Sequence, residues 1–220
     1  MQKKPMFFVD FDGTIARQDV CYTMVKTFAG AGWEELNRMW EEGVLTTVEC
    51  ARRIFAIMPV TPGELEAFFD TMEIDGSFPG FAAWAAASNF PLYIVSDGYD
   101  RYIHKLLTRH GLQLQYYANR LVYERGWQID CPYASSECDR CGVCKKEIID
   151  KIRKPGYITI YIGDGYSDIC PASNCDIVFA RDTLARYCRD NRIPYYEFAT
   201  FDEVRSRVTS WLEPSASRPG

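Results

Sequence analysis

The residues Met6-Phe-Phe-Val-Asp-Phe-Asp-Gly-Thr14 join a short apolar run to two carboxylates. In an extended chain, residues two apart point to the same side, so Asp10 and Asp12 share one side of the end of the strand. Gly13 allows the sharp exit that such a loop needs. Taken alone, the two aspartates could equally be a turn and a helix cap. The stretch therefore predicts a buried strand that ends in either a turn or a paired carboxylate site.

Further apolar runs end in the same way at 92–95, 158–162 and 177–179, and segments with helical spacing lie between them, as at 101–110 and 145–152. This alternation predicts an α/β fold with a doubly wound, Rossmann-like parallel sheet. Residues 121–129 are expected to add an accessory hairpin that turns at Gly126. Ligands of such sheets bind beyond the carboxyl ends of the strands.

The interval after the first strand has no convincing strand of its own. Its apolar spacing predicts helices at 20–29, 33–42, 47–57 and 62–72. We therefore expect a helical cap domain at residues 16–79, inserted into a core made of residues 1–15 and 80–220, with a loose tail from about residue 213. A cap in this position would lie over the strand ends, where it could close on a substrate and exclude water.

A second acidic pair, Asp164 and Asp168, follows the run at 158–162. The carboxyl ends of parallel strands meet at one edge of a sheet, so four carboxylates are expected to converge there. Like charges crowded in this way destabilise one another unless a cation balances them. Because all the ligands are oxygen atoms, the sequence favours a magnesium ion.

Phosphate-binding groups are predicted at the same edge. The run at 92–95 ends in Ser96-Asp97-Gly98, which offers a hydroxyl and backbone N–H groups to an anion, although three such residues alone would more often be a turn. Lys145 begins a predicted helix and shares its inward face with Ile148 and Ile149. It is therefore our candidate for the cation that balances phosphate.

The charge balance argues against other classes of protein. The chain has 25 Lys+Arg and 30 Asp+Glu, a formal net charge of -5, and no basic run, so we expect no nucleic-acid partner. The first apolar run is too short for a signal peptide or a membrane span. An odd count of nine cysteines, without an export signal, favours reduced thiols. We expect a cytoplasmic protein with no membrane partner; its oligomeric state is not predicted.

Asp10-Phe-Asp-Gly-Thr14, Ser96, Lys145 and Gly163-Asp-Gly-Tyr-Ser-Asp168 resemble, in order and context, the four motifs of the haloacid dehalogenase superfamily. The insertion between the first and second motifs resembles the helical cap of its phosphoserine phosphatase-like branch. The resemblance implies a magnesium-dependent phosphatase that acts on a small phosphorylated metabolite.

The resemblance also implies roles for these residues. Asp10 would be the nucleophile, and Asp12 would protonate the leaving alkoxide and then activate water. Ser96, Asp97 and Lys145 would hold the phosphoryl oxygens. The metal would be held by the carboxylates of Asp10 and Asp164 and the backbone carbonyl of Asp12, while Asp168 would orient these ligands.

Substrate alternatives stay open at this point. Residues 94–100 and the cysteines before Lys145 resemble methionine-salvage phosphatases that act on 2-hydroxy-3-keto-5-methylthiopentenyl-1-phosphate, whereas residues 164–171 also resemble phosphoethanolamine and phosphocholine phosphatases. In phosphoserine phosphatases a glutamate and a cap arginine bind the amino acid. Asp19 stands at about the place of that glutamate, and Arg52 or Arg53 could supply the cation. The shorter Asp19 argues against phosphoserine.

Four cysteines, Cys131, Cys138, Cys141 and Cys144, are spaced C-x6-C-x2-C-x2-C. Four thiolates could satisfy a tetrahedral structural zinc ion. The alternative is a set of reduced thiols at the rim of the active site. A non-catalytic, thiol-rich metal-binding or redox module on the same scaffold is a rival function, but it would have no need for Asp10, Asp12 and Asp164 together.

Overall fold

The computed structural model describes residues 3–137 and 141–213. Within them the chain forms a seven-stranded sheet with the order β4-β3-β2-β1-β5-β6-β7, in which every neighbouring pair is parallel except β3 and β4. The strands are β1 (Lys4–Val9), β2 (Leu92–Tyr99), β3 (Gln115–Tyr123), β4 (Trp127–Asp130), β5 (Tyr157–Gly163), β6 (Ile177–Ala180) and β7 (Tyr196–Glu197). The predicted α/β fold with a doubly wound parallel sheet is confirmed.

Strand β1 lies in the centre of the sheet because its residues are apolar on both faces. Phe7 and Val9 belong to the hydrophobic core on one face, and Met6 and Phe8 belong to the core on the other. Phe7 pairs with Leu92 of β2 and with Ile160 of β5. The strand that carries Asp10 is therefore fixed from both sides and from both faces.

The predicted hairpin is present at one edge of the main sheet, and its first strand is longer than the predicted segment. Strand β3 begins at Gln115, pairs in parallel with β2, and only then turns back into β4. Trp127 of β4 is buried, and its Nε1 donates to the carbonyl oxygen of Val60 at 2.8 Å. The hairpin thus extends the main sheet and contacts the helical segment that follows β1.

The four helices predicted after β1 are present. Two of them begin with a capping box, which Thr46 forms with Glu49 and Thr61 forms with Glu64. An isolated antiparallel bridge joins Ala16 to Ile74, where the chain leaves the sheet and returns. The helices are α1 (Val20–Phe28), α2 (Trp33–Glu41), α3 (Thr47–Ala56) and α4 (Pro62–Asp70).

The remaining helices cover the two faces of the sheet. Phe78 of α5 packs edge-on against Phe201 of α10, with ring centroids 4.9 Å apart. None of the described helices is long and apolar enough to span a membrane. Apart from Glu213, the predicted tail lies outside the described residues. These helices are α5 (Phe78–Ala87), α6 (Asp100–Arg109), α7 (Lys145–Ile152), α8 (Ile169–Ala172), α9 (Asp182–Asp190) and α10 (Phe201–Leu212).

Helices α4 and α6 are joined by a row of ion pairs that we call the α4–α6 clasp. Three basic residues recur every four positions along one side of α6 and face acidic residues in α4 or just after it. The pairs are Arg101–Glu66 at 2.7 Å, Lys105–Asp70 at 2.9 Å, Lys105–Glu66 at 3.1 Å and Arg109–Glu73 at 3.7 Å. The clasp ties α4 and the residues just after it to α6, the helix that follows β2.

Candidate active site

Three neighbouring strands bring their polar ends to one edge of the sheet. Asp10 follows β1, Ser96 lies in the second half of β2, and Asp164 follows β5. The backbone N–H of Asp10 continues the sheet by donating to the carbonyl oxygen of Ile162 at 2.9 Å. Asp10 and Ser96 are buried. The sequence motifs that lie far apart in the chain therefore meet at the predicted edge.

Lys145, the first residue of α7, reaches into this cluster. Its Nζ lies 2.7 Å from Asp10 Oδ1, 2.6 Å from Asp168 Oδ1 and 3.0 Å from Ser167 Oγ. Burial works against its charge, but Asp10 and Asp168 outweigh that effect and raise the pKa of Lys145 above its ordinary value. A lysine held in this way stays protonated and supplies a fixed positive charge beside Asp10.

Asp168 is fully buried, and the protein uses both of its oxygens. Its Oδ1 accepts hydrogen bonds from Lys145 and from the Tyr161 hydroxyl, the latter at 2.5 Å. Its Oδ2 accepts from the backbone N–H groups of Asp164 and Gly165, each at 2.9 Å. This arrangement fits a residue that holds the loop and its neighbours in place more than a direct metal ligand.

Asp164 is oriented by a hydroxyl that the sequence analysis missed. Thr14 Oγ1 donates to Asp164 Oδ1 at 2.5 Å. Burial, followed by the charge of Asp168, raises the pKa of Asp164 to about 6. Gly13, with φ +70°, has no room for a side chain, because a Cβ there would overlap the Asp164 carboxylate. The two acidic loops therefore touch directly.

The donor set fits a divalent cation. One oxygen from each of Asp10, Asp164 and Asp168 lies within 4.8 Å of the others. Three carboxylates lie around a single lysine. Burial, followed by the charge of Asp168, raises the pKa of Asp10 well above its ordinary value, although Lys145 opposes this shift. The cluster is thus short of positive charge, and its oxygen ligands suit magnesium.

The carboxylate of Asp12 is held apart from this cluster. Its Oδ1 accepts from the backbone N–H of Val20 at 2.9 Å, and its Oδ2 accepts from the hydroxyl of Tyr102. Burial, followed by the charge of Asp19, raises the pKa of Asp12 to about 8. A carboxyl group with this pKa carries a proton at neutral pH, as a general acid requires.

The loop after β2 is braced by Asp97. One oxygen of its carboxylate accepts hydrogen bonds from the N–H of Val143 at 2.9 Å and from Asn119 Nδ2 at 3.2 Å. Ser96 Oγ accepts from the N–H of Gly98 at 3.0 Å. The Asp97 side chain therefore ties this loop to the segment before Lys145. Because the carboxylate is used in this way, Asp97 would contact an anion through its backbone N–H.

The three residues that the sequence predicts for substrate binding lie on or next to helices α1 and α3. Asp19 is the N-cap of α1, where its carboxylate accepts from the N–H of Tyr22 at 2.7 Å. Arg52 and Arg53 are exposed on α3. The charge of Arg52 acts on Cys131, at the end of β4. A role for these three residues in substrate binding stays a prediction.

The described cysteines give no support to a zinc site. Cys138 lies outside the described residues, and Cys131, Cys141 and Cys144 are partly buried. Where residues are described, aspartates form a three-ligand group but these three thiols do not. Burial is the main cause that raises the pKa of Cys131 to about 11, so this thiol keeps its proton at neutral pH.

A second group that the sequence analysis missed is Arg181, which follows β6. Its guanidinium donates to the carbonyl oxygens of Gly13 and Thr14 and lies over the ring of Phe198, 5.1 Å from the centroid. It thereby fixes the loop that carries Asp10 and Asp12. Its position directly after a strand was the available signal, as it was for the aspartates.

Comparison with known proteins agrees with this geometry. The family described as Putative Phosphatase matches residues 6–213. A 2-hydroxy-3-keto-5-methylthiopentenyl-1-phosphate phosphatase of Lysinibacillus sphaericus (strain C3-41) is 30% identical over 226 residues, which cover 98% of this chain and 99% of the relative. Its counterpart in Bacillus cereus (strain AH820) is 30% identical over 214 residues, covering 94% and 96%.

Solved structures with the same fold include phosphoserine phosphatases. A phospho-aspartyl intermediate analogue of phosphoserine phosphatase superposes with a TM-score of 0.71 at 20% identity, covering 94% of this chain and 99% of that one. A probable phosphoserine phosphatase of Vibrio cholerae, unliganded, gives a TM-score of 0.73 at 18% identity, covering 95% and 65%. At these identities the likeness concerns the fold.

Proposed function

Because the chain belongs to the Putative Phosphatase family and is a phosphatase of the haloacid dehalogenase superfamily, we propose that it hydrolyses a small phosphate monoester through an aspartyl phosphate on Asp10. The observation that carries the proposal is the pairing of two aspartates with different surroundings. Asp10 lies 2.7 Å from a buried lysine, whereas Asp12 has a pKa of about 8. One suits a nucleophile and the other a proton donor.

The reaction has two steps. In the first, an oxygen of Asp10 bonds to phosphorus, the bond from phosphorus to the ester oxygen breaks, and Asp12 gives its proton to that oxygen. In the second, Asp12 takes a proton from water while the water oxygen attacks phosphorus, which releases phosphate and frees Asp10. The Ser96 hydroxyl, the backbone N–H of Asp97 and the Lys145 ammonium would hold the phosphoryl oxygens.

Magnesium completes the charge balance of this proposal. The carboxylates of Asp10 and Asp164 and the backbone carbonyl of Asp12 would hold the ion, and Asp168 would orient them. When bound, the ion supplies positive charge that offsets the charge developing on the phosphoryl oxygens. Lys145 alone cannot supply this positive charge, because its ammonium already pairs with Asp10 at 2.7 Å and with Asp168 at 2.6 Å.

The substrate we propose is 2-hydroxy-3-keto-5-methylthiopentenyl-1-phosphate. Two relatives that carry this name match nearly the whole chain at 30% identity. Phosphoserine is less well supported, since Asp19 already caps a helix with its carboxylate and the phosphoserine phosphatases match at 20% identity or less. We further propose that residues 16–79 act as a cap over this site, and that the enzyme works in the cytoplasm.

The test is phosphate release from a panel of esters by the natural protein, by Asp10→Asn and by Asp12→Asn, with magnesium or with EDTA. The panel holds the methylthiopentenyl phosphate, phosphoserine, phosphoethanolamine and phosphocholine. We expect the first ester to be hydrolysed fastest, only with magnesium, and not at all by Asp10→Asn. Activity that survives Asp10→Asn would refute the nucleophile, and preference for another ester would refute the substrate.

A further inference from the structure

A buried tyrosine outside the four motifs touches the reacting machinery. Tyr102 lies on α6, has no exposed surface, and donates its hydroxyl hydrogen to Asp12 Oδ2. Its ring is enclosed by the rings of Phe69, Phe11 and Tyr99, with centroids 5.6, 5.9 and 6.5 Å away. The hydroxyl is therefore presented to Asp12 by a side chain that has no room to turn.

The backbone makes room for this contact at Gly98. A Cβ at this position would overlap both the Tyr102 hydroxyl and the Asp12 carboxylate. Gly98 is not among the residues with positive φ, so its backbone does not require glycine. Glycine is needed here for space, because the Tyr102 hydroxyl and the Asp12 carboxylate occupy the place of a side chain.

The two oxygens of Asp12 are thus held by donors from two different helices. The N–H of Val20, at the start of α1, takes one lone pair of Oδ1, and Tyr102 of α6 takes one lone pair of Oδ2. Two donors set the plane of the carboxyl group as well as its direction. The lone pairs that remain have one orientation relative to Asp10, two residues earlier in the same loop.

We propose that Tyr102 is a positioning residue that orients Asp12 for proton transfer to the leaving group, and that Gly98 keeps open the space in which the two side chains meet. The inference rests on the proposed function of Asp12 as general acid. Tyr102 exchanges no proton with the substrate; it acts by holding the group that does. Without Tyr102, the carboxyl group of Asp12 would be held only by the N–H of Val20 among the hydrogen bonds described above, and it could rotate about that bond.

The test uses the basicity of the leaving group. Phenyl phosphate releases a basic phenolate that needs a proton, whereas 2,4-dinitrophenyl phosphate releases an anion that leaves without one. General acid catalysis contributes roughly 10²- to 10⁴-fold where it is needed. We expect Tyr102→Phe to lower kcat/KM for phenyl phosphate by roughly 10- to 100-fold and for the dinitrophenyl ester by less than about threefold.

Two reference variants separate the possible failures. Asp12→Asn should show the same selectivity in a stronger form; equal loss on both esters would refute the general acid itself, and with it the proposed function. Selective loss in Asp12→Asn without selective loss in Tyr102→Phe would overturn only the role of Tyr102. Tyr93→Phe, which removes a phenol hydroxyl from a ring stacked on Phe8, should leave the ratio of the two rates unchanged.

A second variant approaches the same contact from the backbone. Gly98→Ala should reproduce the selective loss on phenyl phosphate, since its methyl group displaces the Tyr102 hydroxyl from Asp12. Adding Tyr102→Phe to Gly98→Ala should lower kcat/KM for phenyl phosphate by no more than about a further threefold, because the effects of residues that act through one contact are not additive. Full additivity of the two losses would overturn the proposal. If Gly98→Ala does not fold, Tyr102→Phe decides alone.

Discussion

Thr14 shows how a single hydroxyl can matter to the whole cluster. It is buried and donates to Asp164 at 2.5 Å, so it holds a carboxylate that we assign to the metal. We predict that Thr14→Val, which keeps the shape and removes the donor, weakens magnesium binding by roughly 10- to 100-fold. The measurement is the magnesium concentration that gives half-maximal activity.

The matched control for this substitution is Thr27→Val. Thr27 lies on α1, and its hydroxyl donates to the carbonyl oxygen of Thr23 in its own helix. Its substitution should leave the magnesium requirement unchanged. An unchanged requirement in Thr14→Val as well would mean that Asp164 does not depend on Thr14 for its orientation.

Lys145 is the second residue whose removal has a predictable cost. Its side chain is 1% exposed and pairs with Asp10 and Asp168, so Lys145→Met leaves two buried carboxylates without their partner. Breaking a buried ion pair from one side destabilises by about 3–5 kcal/mol. Denaturation by urea should show a loss of this size in the free energy of unfolding without magnesium. A loss below about 1 kcal/mol would contradict the prediction.

Among the elements, the α4–α6 clasp offers the clearest test. Glu66 pairs with Arg101 and Lys105, and these side chains are 25–36% exposed, so solvent weakens each pair. We predict that Glu66→Gln lowers the free energy of unfolding by about 1 kcal/mol at low salt, and by less at 1 M NaCl, where charges are screened. Thermal unfolding at both salt concentrations measures this.

An exposed ion pair inside one helix is the control for the clasp. Glu35 pairs with Arg38 on α2, and both side chains are more than half exposed. Glu35→Gln should change stability by less than Glu66→Gln does. Equal effects would show that joining two helices adds nothing to these pairs.

Elements also mark the limit of what could be predicted from the sequence. The strand ends that carry Asp10, Ser96 and Asp164 could be predicted, because apolar runs and polar ends are local patterns. Strand β3 was recognised only as a hairpin arm, since its pairing with β2 depends on residues far away in the chain. Tyr102 was missed for the same reason: its contact with Asp12 arises from packing, which spacing does not encode.

For the whole molecule, the charge of the active site links metal binding to stability. The cluster holds two buried carboxylates, a third that is partly buried, and one lysine, so an ion bound only by the folded protein should stabilise it. We predict that magnesium at 100 times its dissociation constant adds about 2.7 kcal/mol to the free energy of unfolding. Thermal unfolding with magnesium or EDTA measures the gain.

This gain should depend on the proposed ligands. Asp164→Asn removes one charge from the cluster and should lose most of the gain, while the fold stays intact without the ion. Equal stabilisation of the natural protein and Asp164→Asn would place the ion elsewhere. The experiment needs no substrate, so its result does not depend on which ester the enzyme hydrolyses.

The central position of β1 has a consequence for how the chain folds. This strand carries the proposed nucleophile, yet its two neighbours, β2 and β5, lie far along the sequence, and the five helices α1–α5 separate it from β2. Pairings between distant segments form slowly, because the intervening chain must first be closed into a loop. We expect refolding to show the helices early and the sheet late. The active site would then be among the last parts of the molecule to form.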